Sequence, residues 1–578
     1  MAGLRMVLGV RAGNWLALAI SSCVLPALCA CGASDGTSVD AEAVESAAAE
    51  TELAAPSFAH LKAPSLSWSG CGEAFPQAEC AVGMVPLDYD RPSGEKTPIA
   101  LARIPASDPE HKIGTVFVNP GGPGGSGVSL VLAAFGPYLA SRLQGRFDVV
   151  GFDPRGVGAS APLRCFDTED ELNAFFGAVP VFPYQREQTR PFFEQLRSLA
   201  GHCRGRHAAI TSHMSTADVA RDLDLLRRAV GDERLTYLGF SYGTQLGNTY
   251  ANLFPKNIRA LVIDGVVDPQ QWVTGSTVVS GRVGTARVVA EFMRLCDAAG
   301  EACALSGGDG AAARYERLAN ALLAAAIDLD EAPYTYDFLI ADTTSAMYTP
   351  ELWGGADGWG ALFASLADLA TSDADAKGKA EASKQARSLR NSLYERLAAS
   401  LPQQEEYDNA ADAYYGVHCA DAEFPKAFAA WKTIGAFAES GSRFGPLWWW
   451  QDAGCADWPA APDRYAGPWT ARTSAPVLIV GNYFDPATPF SGAQASSRLL
   501  PNSRLLSYAG WGHCAFGRNE CATGYTVSYL FDGSLPPKGT VCPENPNPFV
   551  PRAALRTTIA AQPTAPLVGL PPRIHEKH

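Results

Sequence analysis

Positive charge is scarce in this chain. Its 578 residues include 46 Lys and Arg against 60 Asp and Glu, a net charge of −14, and no basic stripe runs along it. Nucleic acids are held by clustered cations that neutralise phosphates, so the composition argues against a nucleic-acid partner. The acidic surplus reads as a solubility device, with a mild preference for neutral or cationic ligands. Long apolar runs are missing too: the stretch Trp15 to Ala30 falls short of the roughly 20 residues of a comfortable membrane span. No internal repeat is present, which leaves out repeat architectures. No lysine follows the glycine-dense segment Asn119 to Gly127 at phosphate-loop spacing, so a nucleotide cradle is a poor reading there. Nothing in the pattern calls for a cofactor or a metal.

What is present begins with an export signal. Arg5 and Arg11 precede the apolar stretch, and the signal expected over residues 1–31 closes within Leu28-Cys29-Ala30-Cys31-Gly32, which resembles the lipobox of bacterial lipoproteins. Cys31 is the acylation candidate, with ordinary signal cleavage nearby as the alternative. The protein is accordingly expected in the bacterial cell envelope, attached to a membrane through an N-terminal lipid, or outside the cell. Residues 32–60 run largely in Ala, Ser, Glu and Asp, too poor in large apolar side chains to order themselves, and read as an acidic linker. Fourteen cysteines, less Cys23, Cys29 and Cys31, leave an odd set in a compartment that permits disulfides. Spacing suggests Cys71 with Cys80 and Cys296 with Cys303. Cys165 with Cys203, Cys419 with Cys455 and Cys521 with Cys542 are plausible longer closures, which leaves Cys514 over.

The composition, 47% hydrophobic and 18% charged, can fill a large core. Short buried-strand signatures recur at Thr115 to Asn119, Phe147 to Phe152, Leu235 to Phe240, Ala260 to Val267, Val477 to Gly481 and Leu505 to Tyr508. Between two of them Ser215 to Gly231 reads as a helix, with Ser215 and Asp218 as a capping box. Strands alternating with helices imply an α/β fold with a mostly parallel sheet. The alternation breaks after Asp268-Pro269, and the chain to about Pro468 is Ala-rich and helical in pattern. The expected organisation is a core over 61–268 and 469–535, an inserted helical lid over 269–468, and an irregular Pro-rich tail over 536–578.

The strongest chemical signal is Gly239-Phe240-Ser241-Tyr242-Gly243, directly after one strand signature and before a helical stretch. A G-x-S-x-G sequence in that setting makes a sharp turn that projects its serine above the sheet. Ser241 is a weak nucleophile unless a base removes its proton. Only His513, in Gly510-Trp511-Gly512-His513, lies just beyond a late core strand. His60, His111, His202, His207, His213 and His418 lack that placement, and His575 and His578 belong to the tail. Asp485, following Val477 to Gly481, precedes the base in the order Ser, acid, His that this fold uses. Thr488 could donate to the acid or be a plain turn residue. An oxyanion needs backbone donors: the N–H of Tyr242 is one arm, and Gly122, ahead of Gly121, is the candidate for the other. Asp153 and Arg155 read as a structural turn.

Together Asn119 to Gly127, Gly151 to Ser160, Gly239 to Gly243, Asp485-Pro486-Ala487-Thr488-Pro489 and Gly512-His513 resemble the secreted tripeptidyl aminopeptidases and prolyl-aminopeptidase relatives among the α/β-hydrolase serine peptidases. The likeness spans about residues 65 to 545, and Asn119-Pro120 stands where prolyl aminopeptidases have a histidine. It implies release of short peptides from a free N-terminus, with acidic lid side chains reading the ammonium. Asp421 and Glu423 are the candidates for that role, alongside Asp264 and Asp268 where core meets lid. Trp448, Trp449 and Trp450 could wall a substrate pocket or pack the lid on the core. The fold and the three catalytic residues do not fix the acyl group, so a carboxylesterase or lipase is the second reading. A surface lipoprotein that binds peptides without turnover is the third.

Overall fold

The computed structural model describes residues 60–550 apart from 330–331, 373 and 400–406. The expected export signal with Cys31, nearly all of the expected linker and the tail beyond 550 lie outside the described residues. Twelve strands are described: β1 (Ser69–Gly70), β2 (Glu79–Pro86), β3 (Lys96–Ile104), β4 (Gly114–Asn119), β5 (Phe147–Phe152), β6 (Leu235–Phe240), β7 (Ile258–Asp264), β8 (Ile327–Leu329), β9 (Ala332–Tyr334), β10 (Val477–Phe484), β11 (Ser503–Trp511) and β12 (Val541–Cys542). Ten of them form one sheet in the order β1-β2-β3-β5-β4-β6-β7-β10-β11-β12. From β5 to β12 every pairing is parallel. β5 and β6 are buried at every residue, because helices cover both faces of a parallel sheet. That double burial makes their sequences read as unbroken apolar runs.

β2 and β3 pair antiparallel at one side of the sheet. β2 alternates, with Val82 and Met84 turned to solvent, and a half-exposed strand carries no continuous apolar run to announce it. The helix Thr216–Ala229 begins where expected, with Ser215 Oγ accepting from the Asp218 N–H. The reciprocal half of a capping box is replaced: the Asp218 carboxylate takes the Ser215 hydroxyl at 3.0 Å and the Arg221 guanidinium at 2.8 Å.

β7 and β10 are neighbours in the sheet, with Leu261 opposite Val477, so everything between them is an excursion from one gap. It is largely helical, from Pro269–Val273 and the long Val278–Ala299 to Gly445–Trp450, with the small β8–β9 pair inside it. The long helix is tied to the loop after β10 by Thr285 Oγ1, which donates to Pro486 O at 2.9 Å. This cap recruits more than the residues 269–468 expected for it. Helices Thr189–Arg197 and Leu199–Thr211, which follow β5, join its apolar core, with Phe192 against Trp450 and Phe193 against Trp431.

The tail differs from expectation where it begins. Residues 536–550 are mostly irregular, but β12 adds to the sheet edge and Phe549 is buried against Phe292 and Trp353. All five expected disulfides are formed, Cys71–Cys80, Cys165–Cys203, Cys296–Cys303, Cys419–Cys455 and Cys521–Cys542, and Cys514 is free and buried. Such a set belongs to an oxidising, extracytoplasmic setting.

Candidate active site

β6 ends in a turn so tight that Ser241 sits at φ 55° and ψ −123°, a strained backbone for a residue with a side chain. The flanking glycines make it feasible. A Cβ on Gly239 would lie 2.4 Å from Gly243 O, and one on Gly243 would lie 2.8 Å from Asn119 O. The turn is held by Ser241 N–H donating to Asp264 O at 3.0 Å and by the Tyr237 hydroxyl donating to Gly243 O at 2.8 Å. Ser241 thereby caps the helix Tyr242–Leu253.

Asp485 and His513 come together in the loops after β10 and β11. His513 Nδ1 lies 3.0 Å from each oxygen of Asp485. The acid also accepts from Ala487 N at 3.0 Å, Thr488 N at 2.8 Å, the Thr488 hydroxyl at 2.9 Å and Cys514 N at 3.3 Å. Thr488 is therefore a support of the acid, and its Oγ1 also stands 3.3 Å from His513 Nδ1. Since an ionised carboxylate only accepts, the proton of the imidazole sits on Nδ1 and Nε2 carries the lone pair. His513 Nε2 is buried and has no hydrogen-bond partner, so it is not bonded to Ser241 Oγ in this conformation. Tyr348 meets the imidazole edge-on at 5.1 Å and its carbonyl accepts from His513 N–H at 3.2 Å, restraining the ring.

The glycine loop after β4 approaches from the other side. Gly121, at φ +94°, lies so close that a Cβ there would stand 2.8 Å from Ser241 Cβ and 2.9 Å from Tyr242 N. Its own N–H donates to Asn119 Oδ1 at 3.0 Å, which takes that donor up and favours Gly122 over Gly121 for the oxyanion. The Tyr242 N–H opens its helix and has no acceptor within it. Asp153 anchors the far end of the loop: its carboxylate takes the Ser126 hydroxyl at 2.6 Å, Val128 N at 3.1 Å and Ala159 N at 2.9 Å. Arg155 is buried in a paired contact with Asp222. Both residues are structural.

The carboxylates expected to read a substrate amine are corrected by their surroundings. Asp421 is buried and accepts from Thr216 N at 2.7 Å, from the Thr216 hydroxyl and from Trp272 Nε1 at 2.8 Å. Burial pushes its carboxyl up from the ordinary aspartate value. It fastens the cap to the core. Glu423 is exposed and paired with Arg464. Asp264 lies behind the site, where it accepts from Ala515 N and Phe516 N at 3.0 and 2.8 Å and holds the loop after His513; burial pushes its carboxyl up to about 6.

The cavity over Ser241 is small, about 90 Å³. Its walls include Gly122, Tyr242 and Asp268 from the core and Gln271, Trp272, Tyr348, Tyr414, His418 and Trp448 from the cap. Of the three consecutive tryptophans, Trp448 walls this space, while Trp449 and Trp450 are buried around Trp431. A larger cavity of about 860 Å³ lies beside Tyr184, Met293 and Arg443 and includes none of the residues around Ser241. Gln271 and His418 also line this cavity, and the sequence pattern marks neither as a site residue. His418 has no core strand before it, and neither helix in which they lie carries a motif. Among the described residues no group of His, Cys, Asp and Glu could hold a metal ion.

A serine on a strained strand-to-helix elbow of a mostly parallel sheet, facing a buried carboxylate–imidazole pair, defines a serine hydrolase of the α/β-hydrolase class. Residues 114–276 match the family described as alpha/beta hydrolase fold, and residues 441–542 match the one described as TAP-like protein. The chain belongs to the TAP-like branch of the α/β-hydrolase serine peptidases. Serine protease Hip1 of Mycobacterium tuberculosis is 31% identical over 512 residues, 82% of this chain and 91% of that protein. Carboxylesterase B of the same organism is 31% identical over 515 residues, 84% of this chain and 91% of that protein. Tripeptidyl aminopeptidase of Streptomyces lividans is 28% identical over 535 residues, 86% and 90%.

Proposed function

We propose that the protein is a serine exopeptidase that releases short peptides from a free N-terminus through an acyl-enzyme on Ser241. Ser241 Oγ attacks the scissile carbonyl while His513 Nε2 takes its proton; the same nitrogen then delivers that proton to the leaving amine. Asp485 keeps the imidazole in the tautomer that can accept and stabilises the imidazolium that forms. The oxyanion of the tetrahedral intermediate receives the N–H groups of Tyr242 and Gly122. Water, activated by His513, then hydrolyses the ester.

The single observation that carries the peptide end of this reading is the cap. It walls the space over Ser241, with His418 and Trp448 among its residues, and leaves a cavity of about 90 Å³, which suits the end of a chain better than a strand running through. The relative named tripeptidyl aminopeptidase points the same way, and the one named serine protease Hip1 supports a peptidase. The relative named carboxylesterase B makes ester hydrolysis the second reading. Comparing unblocked and N-acetylated peptide amides with p-nitrophenyl esters tests it: cleavage confined to unblocked peptides is expected, and equal cleavage of blocked ones would overturn the proposal. Labelling of Ser241 by a fluorophosphonate, lost in Ser241→Ala, tests the nucleophile.

The finer localisation belongs to the same proposal. Export with acylation of Cys31 would place the enzyme on the envelope, and the intact mass of the mature N-terminal peptide distinguishes a diacyl-modified Cys31 from ordinary cleavage.

A further inference from the structure

Two residues that line the Ser241 cavity, Gln271 and His418, each carry a buried acceptor atom with no hydrogen-bond partner, Gln271 Oε1 and His418 Nε2. A buried polar atom left without a partner costs free energy unless something arrives to satisfy it. The identity of both atoms as acceptors follows from what lies behind them. Gln271 Nε2 donates to Asp268 Oδ2 at 3.1 Å; a carboxylate demands the NH₂ end of the amide, so the oxygen is the atom left over. Tyr414 donates its one hydroxyl proton to Asp452 Oδ1 at 2.8 Å. His418 Nδ1 lies 3.2 Å from that hydroxyl and 3.3 Å from the same carboxylate oxygen. Nothing there can donate to Nδ1, so Nδ1 carries the proton and Nε2 is the lone pair. His418 is 1% exposed and stacked on Trp272 at 4.0 Å, so its ring is fixed.

The electrostatic setting selects the ligand. Each acceptor is backed by a carboxylate, Asp268 or Asp452, and among the described residues neither carboxylate forms an ion pair with Lys or Arg. The residues that line the cavity include no Lys or Arg either. Acceptors backed by carboxylates that have no Lys or Arg partner suit a group with several N–H donors, a positive charge and no acceptor, which is the description of a primary ammonium.

We propose that Gln271 Oε1 and His418 Nε2 receive the N-terminal ammonium of the substrate, with Asp268 and Asp452 positioning them. This assignment rests on the exopeptidase reading above and names the residues that would give it its requirement for a free amine. It replaces Asp421 and Glu423 in that role.

The test uses the full-length enzyme and a pair of peptide amides identical except that one has a free α-amine and the other a hydrogen in its place. Rates are normalised to the fraction of enzyme that a fluorophosphonate titrates, and kcat/KM is measured for wild type, Gln271→Leu and His418→Phe. Wild type is expected to prefer the amine-bearing peptide, and each variant to lose roughly 10- to 100-fold of that preference, mostly through KM. If both peptides slow together and the preference survives, the two residues are structural and the proposal is overturned. Gln271 is only partly buried, so its variant reports even if His418→Phe does not fold. If wild type shows no preference for the amine, the exopeptidase reading fails with it, a result distinct from a preference that persists in the variants.

Discussion

Asp485→Asn keeps the outline of the acid but offers His513 Nδ1 an NH₂ group in place of an acceptor. The imidazole would then carry its proton on Nε2, where it cannot receive one from Ser241. A fall in kcat of about 10⁴ is expected, with fluorophosphonate labelling slowed in parallel; a loss under tenfold would remove Asp485 from the proposed triad. Thr488→Val deletes one of the bonds to the same carboxylate and should cost far less. Gly121→Ala tests the oxyanion loop, because its methyl group would press on Ser241 Cβ and Tyr242 N. Turnover should fall at least 10²-fold even where the protein remains folded by circular dichroism. A different residue governs stability against pH. Asp412 is buried, accepts from Tyr407 and Cys165 N, and burial pushes its carboxyl from 3.8 up to about 7. Between those values the unfolded chain releases a proton that the folded chain retains, so this group's contribution weakens stability as pH rises from about 4 to 7. Asp412→Asn should therefore raise the Tm at pH 8 relative to wild type and leave it little changed at pH 4. A Tm lowered at both values would show that the carboxylate itself is needed.

At the scale of elements, the disulfide Cys419–Cys455 joins the helix that carries His418 to the turn that carries Asp452, closing a separation of 36 residues. Its loss, in Cys419→Ala with Cys455→Ala, should lower stability by about 3–4 kcal/mol in denaturant unfolding. The same variant should raise KM for unblocked peptides, because the His418–Asp452 contact is no longer clamped. The central strands were legible in the sequence for the reason that makes them central: β5 and β6 are buried on both faces and spell continuous apolar runs. β2 is half exposed and gives only an alternation broken by Gly83 and Pro86. The proposed triad could be picked out because Ser241, Asp485 and His513 each follow a recognisable strand, and strand ends in a parallel sheet converge at one edge. The proposed amine site could not, because Gln271 and His418 sit on cap helices whose contacts depend on tertiary packing. Asp421 misled for the same reason. An acidic side chain in a helical lid has no local mark that tells a ligand from a fastening, and this one is bonded to Thr216 and Trp272.

For the whole molecule, an acidic surface, five disulfides and a capped hydrolase core fit an enzyme that works outside the cytoplasm on short, amine-bearing chains. The cap draws on two separate stretches of sequence, the helices after β5 and the excursion between β7 and β10, so it is bonded to the core at both ends and along the Asp485 loop through Thr285. The measurement that bears most directly on the account is mass spectrometry of the products from a library of unblocked peptides and the same library N-acetylated. Short N-terminal fragments from the unblocked set alone are the expected result, whereas internal cleavage, or equal cleavage of the acetylated set, would contradict it.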